Sequence, residues 1–370
     1  MNFDFSDDQK LLQQTARGYL DDNAPLALCR EVLESDTPYA AGLWKGAAEL
    51  GWLGTAIDEQ YGGAGFGYLE LVLIAEEIGR SLAPIPFAST LYGPVEAIRL
   101  AGTDEQKNRY LTKIAAGDLI ATMALTEGAG QNDVESVAAT LSDGKVSGTK
   151  MPVIDGGAAD LALVAANGGN GLSLVLVDLN GPGVTRQELD SMDPSRPLAQ
   201  LRFDGASAEL IGSEGGGAEL ASRVLDRAAA LMAFEQLGCA QRALEITREF
   251  VMGRYAFGRP IASFQAIKHR LADLWCEIEL ARSNCYWAAW ALENDETELQ
   301  LAACSARIAA TRALDLASVE MVQLHGGVGY TWEYDCHLFY RRARLLGAAL
   351  GGASAWRERL TGRIDARSAA

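Results

Sequence analysis

The sequence predicts an α+β chain, mainly α, that runs from a helical domain through a β-domain into a four-helix bundle. Three observations carry that reading. Residues 1–119 hold amphipathic stretches at helical period, and residues 120–216 change to short β-type runs broken by turn residues. Residues 217–370 then return to long apolar periodicity with little proline. At 370 residues the chain is long enough for two or three domains and a substantial core.

In the first domain, Ser6 and Gln9 have the spacing of a capping box, and LLQQTARGYL follows at helical period. AGLWKGAAELGWL and YLELVLIAEEIGRSL are two further amphipathic stretches. Residues 58–67 between them carry four glycines and read as a loop. TDEQKNRYLTKIAAG reads as another helix, with Thr103 as N-cap and Gly117 as its stop. In the second domain VAATL and KVSGTKMPVI flank Asp143-Gly144, a hairpin signal, and ADLALVAA, LSLVLVDL and LAQLRF continue the β texture. In the third, helices are expected over roughly 217–253, 263–293, 297–323 and 335–363.

Composition narrows the function. Lys plus Arg is 32 and Asp plus Glu is 49, a net charge of −17. A chain this acidic repels nucleic acid and anionic lipid, so neither is an expected partner. Its six cysteines form no C-x-x-C pair and it has three histidines, so neither a zinc site nor a disulfide framework is expected. No apolar run reaches eighteen residues, and the N-terminus MNFDFSDDQK lacks a secretory h-region. No membrane span is expected, and the expected compartment is the cytoplasm.

The triple glycine 215–217 before a helix has two readings, a phosphate cradle or a domain junction. No G-x-G-x-x-G follows a strand, so a Rossmann site has no support. RYAFGRPIASFQAIKHRLAD and QLHGGVGYTWEYD are more specific. Arginine can hold a pyrophosphate, a phenyl ring can pack an aromatic system, and paired glycines admit close backbone approach. The same residues also suit a helix start and a tight turn.

These motifs give the chain a resemblance to the acyl-CoA dehydrogenase family of flavoproteins, over nearly its whole length. EQYGGAGFG, AEEIGRSLAPIPF and GTDEQKNRYLTKIAAGD match its first loop and next helices. ALTEGAGQND resembles its flavin loop, ALTEPGAGSD, and GTKMPVIDGGAADLALVA resembles its strand GTKxWITNG. RYAFGRPIASFQ is similar to its R-x-x-F-G-x-x-I-x-x-x-Q signature, and QLHGGVGY to Q-x-x-GG-x-GY.

The resemblance implies an N-terminal helical domain, a middle β-barrel-like domain and a C-terminal four-helix bundle, with FAD between the last two. It implies that Arg254 and Phe257 meet the FAD of a neighbouring subunit and that Gln265 is the matching glutamine of that motif. Gln323, Gly326 and Gly327 would approach FAD through the backbone, and Leu125, Thr126 and Asn132 would lie on the loop facing the flavin. It further implies an acyl-CoA substrate, an electron-transfer flavoprotein as acceptor, and an oligomer, typically a tetramer. AFEQLG, SFQAIKHRLAD and HGGVGYTWEYDCHLFYRRA are similar to a bacterial subgroup acting on bulky and steroid side-chain acyl-CoAs, in which some enzymes are heteromers with the base on one subunit type.

The chain departs from the family pattern. Pro152, Ile154 and Asp155 replace the usual residues of the flavin strand, and Asn132 stands at the flavin-loop serine. The usual glutamate base falls at Leu350 and the alternative base at Ala228, so neither position has a carboxylate. Glu235, in the apolar run AAALMAFEQLGCA, lies two turns from Ala228 on the same helix face. One reading makes it the base, with desolvation raising its pKa. The other makes it a carboxylate hydrogen-bonded in the bundle or at its surface. Arg196 reads as an ion-pair donor or a phosphate contact, and Arg341, Arg342 and Arg344 as a surface cluster or an acyl-CoA phosphate contact. The leading function is α,β-dehydrogenation of an acyl-CoA; the alternatives are a supporting subunit of a hetero-oligomer or a flavin oxidase or monooxygenase.

Overall fold

A computed structural model of the chain describes residues 5–128, 130, 134 and 136–369. The predicted order of helices, strands and helices is observed. The first seven helices are α1 (Asp7–Asn23), α2 (Leu26–Glu34), α3 (Ala41–Glu49), α4 (Tyr68–Arg80), α5 (Phe87–Thr90), α6 (Glu96–Ala101) and α7 (Asp104–Ala115). The strands β1 (Ala121–Ala124), β2 (Thr140–Ser142), β3 (Lys145–Ile154), β4 (Leu161–Gly168), β5 (Gly171–Asp178), β6 (Val184–Leu189) and β7 (Leu198–Ile211) follow. The 37-residue α8 (Gly217–Gly253) leads into a short hairpin, β8 (Tyr255–Ala256) and β9 (Arg259–Pro260). The chain ends in α9 (Gln265–Asn294), α10 (Glu296–His325), α11 (Cys336–Ala348) and α12 (Ala353–Ala369).

Local chemistry explains the boundaries. The Ser6–Gln9 capping box forms in both directions, at 2.9 and 3.2 Å. Thr103 and Gln106 build the same box on α7, and the Gln106 amide also donates to Leu210 O at 2.9 Å. Such a cap satisfies amides that no helical carbonyl can reach. Thr103→Ala is therefore expected to cost about 1 kcal/mol. That would appear as a fall of roughly 2–4 °C in the thermal midpoint.

The chain forms two compact units, and α4 and α8 each contribute to both. One comprises Glu31–Leu71 and Pro84–Ala228. Here β2, β3, β7, β5 and β4 pair in a closed circuit, β1 runs parallel to β4, and β6 pairs with β7. Closure leaves those five strands no edge within the circuit and gives the expected barrel-like domain. The apolar runs of β4 and β5 are buried along most of their length, as strands covered on both faces should be. The Asp143-Gly144 turn forms as predicted, with both residues left-handed (φ 50° and 68°) between β2 and β3. The 215–217 glycines lie inside this unit: a Cβ on Gly217 would meet Leu172 O at 2.7 Å, so this helix start packs directly on β5.

The other unit comprises Met1–Arg30, Val72–Ala83 and Ala229–Ala370. In it α4 and α8 approach each other backbone to backbone. A Cβ on Gly79 would stand 1.9 Å from Glu235 O, and one on Gly238 would stand 1.8 Å from Glu76 O. Each helix thus offers a glycine to the other's backbone. Charged pairs flank this crossing: Arg17–Glu77 at 2.7 Å, Arg282–Glu76 at 2.8 Å and Arg80–Glu245 at 2.6 Å. The α9–α10 link is a single residue, Asp295, whose carboxylate accepts the amides of Thr297 and Glu298.

The single helix expected over 335–363 is instead two. Leu350 and Gly351 are left-handed (φ 59° and 91°), and the buried Arg307 guanidinium donates to Leu346 O and to Ala349 O. An interior cation therefore satisfies the carbonyls that α11 leaves open at its end.

Candidate functional site

Six of the expected site residues gather at one end of the helical unit. As α8 ends, the Arg254 amide donates to Phe250 O at 2.9 Å, and the chain turns into the β8–β9 hairpin. The two tip residues, Phe257 and Gly258, are both left-handed (φ 54° and 77°), the conformation a two-residue hairpin requires. That conformation is uncommon for a bulky residue, and it leaves the Phe257 ring 95% exposed. Arg254 and Gln265, the first residue of α9, are also exposed.

Two contacts bring the end of α10 alongside. Arg270 pairs with Glu320 at 2.7 Å, and the His325 ring stacks on Phe250 at 4.1 Å. Burial holds the His325 imidazole below its ordinary range, so it is neutral at pH 7 and its Nδ1 pairs with Met321 O at 2.7 Å. Gln323, in the last turn of α10, is exposed, as are Gly326 and Gly327 in the turn that follows. A Cβ on Gly326 or Gly327 would meet nothing within 4 Å, so this backbone is open to a ligand. Gly329 differs, since a Cβ there would meet Val322 O at 2.5 Å.

Leu125 and Thr126 lie in the β-containing unit, just past β1. The Met151 amide donates to Thr126 O at 3.0 Å, and the Thr126 hydroxyl donates to Met151 O at 3.4 Å. Leu125 is buried and its carbonyl accepts from Lys150 Nζ at 3.4 Å. Asn132 lies outside the described residues. Asp155 is left-handed and buried, and it accepts from Arg196 at 2.7 Å and from Ser89 at 2.7 Å. Arg196 is accordingly an interior ion-pair donor rather than a phosphate contact.

Glu235 is wholly buried in the helical unit, beside Gly79. The equally buried Arg342 stands 4.0 Å from its carboxylate and donates to Leu82 O at 3.3 Å. The next residue, Gln236, bonds Arg307 and Thr311. Burial lowers the Arg307 pKa to about 10 although Glu235 pulls it up. This setting favours the ion-pair reading of Glu235, because a base must reach the proton it removes. The arginine cluster of α11 likewise turns to the protein: Arg344 pairs with Asp315 at 2.6 Å and Arg341 lies over Trp332. At the two family base positions, Ala228 is buried and the Leu350 carbonyl accepts from Trp356 Nε1 at 3.1 Å.

The sequence pattern of the acyl-CoA dehydrogenase N-terminal domain matches residues 6–118, and that of the C-terminal domain matches residues 215–363. The chain belongs to the acyl-CoA dehydrogenase family. The chain is 32% identical to acyl-CoA dehydrogenase IpdE2 of Mycobacterium tuberculosis over 338 residues, covering 91% of each. Among solved structures it is similar to a variant of the Tcur3481–Tcur3483 steroid ACAD, with 32% identity, a TM-score of 0.89, and 98% and 99% of the two chains covered. It is also similar to the ChsE4–ChsE5 complex of Mycobacterium tuberculosis, at 27% identity, a TM-score of 0.88, and 99% of each chain. Acyl-CoA dehydrogenases are oxidoreductases and generally FAD-dependent. The residues present fit that group: a bare guanidinium and ring at Arg254 and Phe257, and an unobstructed backbone at Gly326-Gly327. Among the described residues no helix is long and apolar enough to cross a membrane.

Sequence reasoning missed three interior partnerships: Lys150 with Glu127, Asp155 with Arg196, and Arg307 with the end of α11. Each joins residues far apart in the chain, which no local pattern reports.

Proposed function

We propose that this chain is a subunit of an FAD-dependent acyl-CoA dehydrogenase that forms the α,β double bond of a bulky, steroid-type acyl-CoA. The observation that carries the reading is the Phe257 ring, 95% exposed on a left-handed turn three residues from an exposed Arg254. Exposing that ring is unfavourable unless another surface covers it. A neighbouring subunit's dinucleotide fits the pair. Arg254 supplies charge-assisted hydrogen bonds to its pyrophosphate, Phe257 supplies an apolar face, and Gly326-Gly327 admits it against the backbone. Leu125 and Thr126 present the flavin-facing loop. Hydride acceptance is the chemistry the flavin supplies when bound. An electron-transfer flavoprotein is the proposed acceptor. The steroid ACAD among the structural relatives supports the bulky substrate.

The Glu235–Arg342 pairing supports a second reading, in which the proton-abstracting carboxylate comes from a partner chain of a hetero-tetramer. The two-protein names of both structural relatives support it too.

Production alone and with a partner subunit, followed by absorption spectrum and native mass, tests both. The expected result is a yellow oligomer whose spectrum bleaches with acyl-CoA. Arg254→Gln and Phe257→Ser should each weaken flavin binding on the order of tenfold, as loss of one charge-assisted or buried aromatic contact implies. Glu235→Gln separates the readings: a lost rate with full flavin content makes Glu235 the base, and full activity removes it from that role. Correctly assembled protein that stays colourless on reconstitution overturns the proposal.

A further inference from the structure

We propose that Lys150 and Glu127 are positioning residues: together they lock the backbone carrying Leu125 and Thr126 into the conformation that faces the flavin. The inference rests on the flavin reading above and adds two residues to it.

The Lys150 side chain is 0% exposed. It leaves β3 at the point where pairing with β7 shifts register, between Lys150 and Val153. The Lys150 side chain shares the buried face of β3 with Val146, in step with the regular alternation of the strand. Its ammonium donates to Glu127 Oε1 at 2.8 Å and to Leu125 O at 3.4 Å. The same carboxylate accepts the Ala138 amide at 2.6 Å and the Ala139 amide at 2.8 Å. The neighbouring Met151 amide holds Thr126 O. Lys150 and Met151 thus fix three successive residues, 125–127, and through Glu127 they also fix residues 138 and 139.

Burying an ammonium costs several kcal/mol, and an apolar pair of similar volume is often as stable. What the ion pair adds here is geometry. It clasps Glu127, which directly follows the two flavin-loop residues, and the amides of Ala138 and Ala139 to one strand. Burial works against the Glu127 charge, but the Lys150 hydrogen bond and the two amides outweigh it and hold this carboxyl below its ordinary range. Burial draws the Lys150 ammonium below its ordinary range, and the Glu127 carboxylate opposes that shift.

Lys150→Met, Glu127→Gln and Lys150→Arg, each purified as the assembled protein, test the inference. Hydrogen exchange is read at Ala138 and Ala139, and flavin affinity and visible spectrum are read by reconstitution with FAD. Expected in Lys150→Met and Glu127→Gln are faster exchange at those two amides, unchanged exchange in β4 and β5, a flavin affinity lower by about tenfold, and an altered flavin band. Lys150→Arg, which keeps the cation, should retain most of the affinity. If Lys150→Met fails to fold, the isosteric Glu127→Gln carries the test. Wild-type flavin affinity and spectrum in variants whose amides exchange faster overturn the positioning role. Unchanged exchange overturns the clasp itself. A wild type that binds no flavin, with variants that still exchange faster, leaves the clasp standing and removes the flavin reading instead.

Discussion

Gly79→Ala and Gly238→Ala should each strip most of the stability from the helical unit. A methyl group at either position would meet a carbonyl oxygen of the facing helix at under 2 Å. The obstacle is backbone, so no rotamer change can relieve it and α4 and α8 must separate. Overpacking costs typically 1–3 kcal/mol and here belongs at or above the upper end, about 3 kcal/mol or more. Against a total stability of roughly 5–15 kcal/mol, that is a large fraction. A thermal midpoint lower by roughly 6–12 °C is expected, with reduced soluble yield. Gly18→Ala is the internal control. It lies inside α1 with open space around it, so alanine there should stabilise by up to about 1 kcal/mol. Wild-type melting in Gly79→Ala would show that the helices can part without cost.

Arg342→Met should be nearly as damaging, and so should Glu235→Leu. Each removes one charge of a buried pair, at a cost of about 3–5 kcal/mol. The Arg342 change also removes the donor to the carbonyl of Leu82, a left-handed residue (φ 51°). The double variant should recover part of the loss, because it buries neither charge alone. A coupling of about 0.5–3 kcal/mol is expected from a double-mutant cycle of denaturant melts. Strict additivity would mean that the two side chains do not sense each other, and the base reading of Glu235 would regain ground. Both singles should be measured for flavin content as well, since a base variant loses rate while keeping its fold.

The fold was legible where a local signal decides it. The Ser6 box, the Thr103 cap, the Asp143-Gly144 turn and the long α8 follow from local pattern alone. The break between α11 and α12 did not, because it depends on Arg307, some forty residues upstream, reaching the carbonyls of Leu346 and Ala349. The glycine crossing was equally hidden: AEEIGRSL reads as amphipathic helix and AFEQLGCA as part of an apolar run, and only their meeting makes Gly79 and Gly238 indispensable. Within the site, the motifs named Arg254, Phe257 and Gly326-Gly327 by resemblance, and their exposure supports that assignment. Glu235 was singled out as the polar residue of an apolar run, but the run could not say whether it would find a substrate or a guanidinium. The guanidinium beside it, Arg342, comes from another helix.

The bare phenyl ring at the hairpin tip also bears on how the chain must be produced. Tyr255, Met252 and Tyr330 are exposed at the same end, so a newly made chain carries a greasy surface before any mate arrives. Solitary expression should then favour clumping and chaperone retention, while simultaneous synthesis of whatever polypeptide caps that end should raise the recoverable yield.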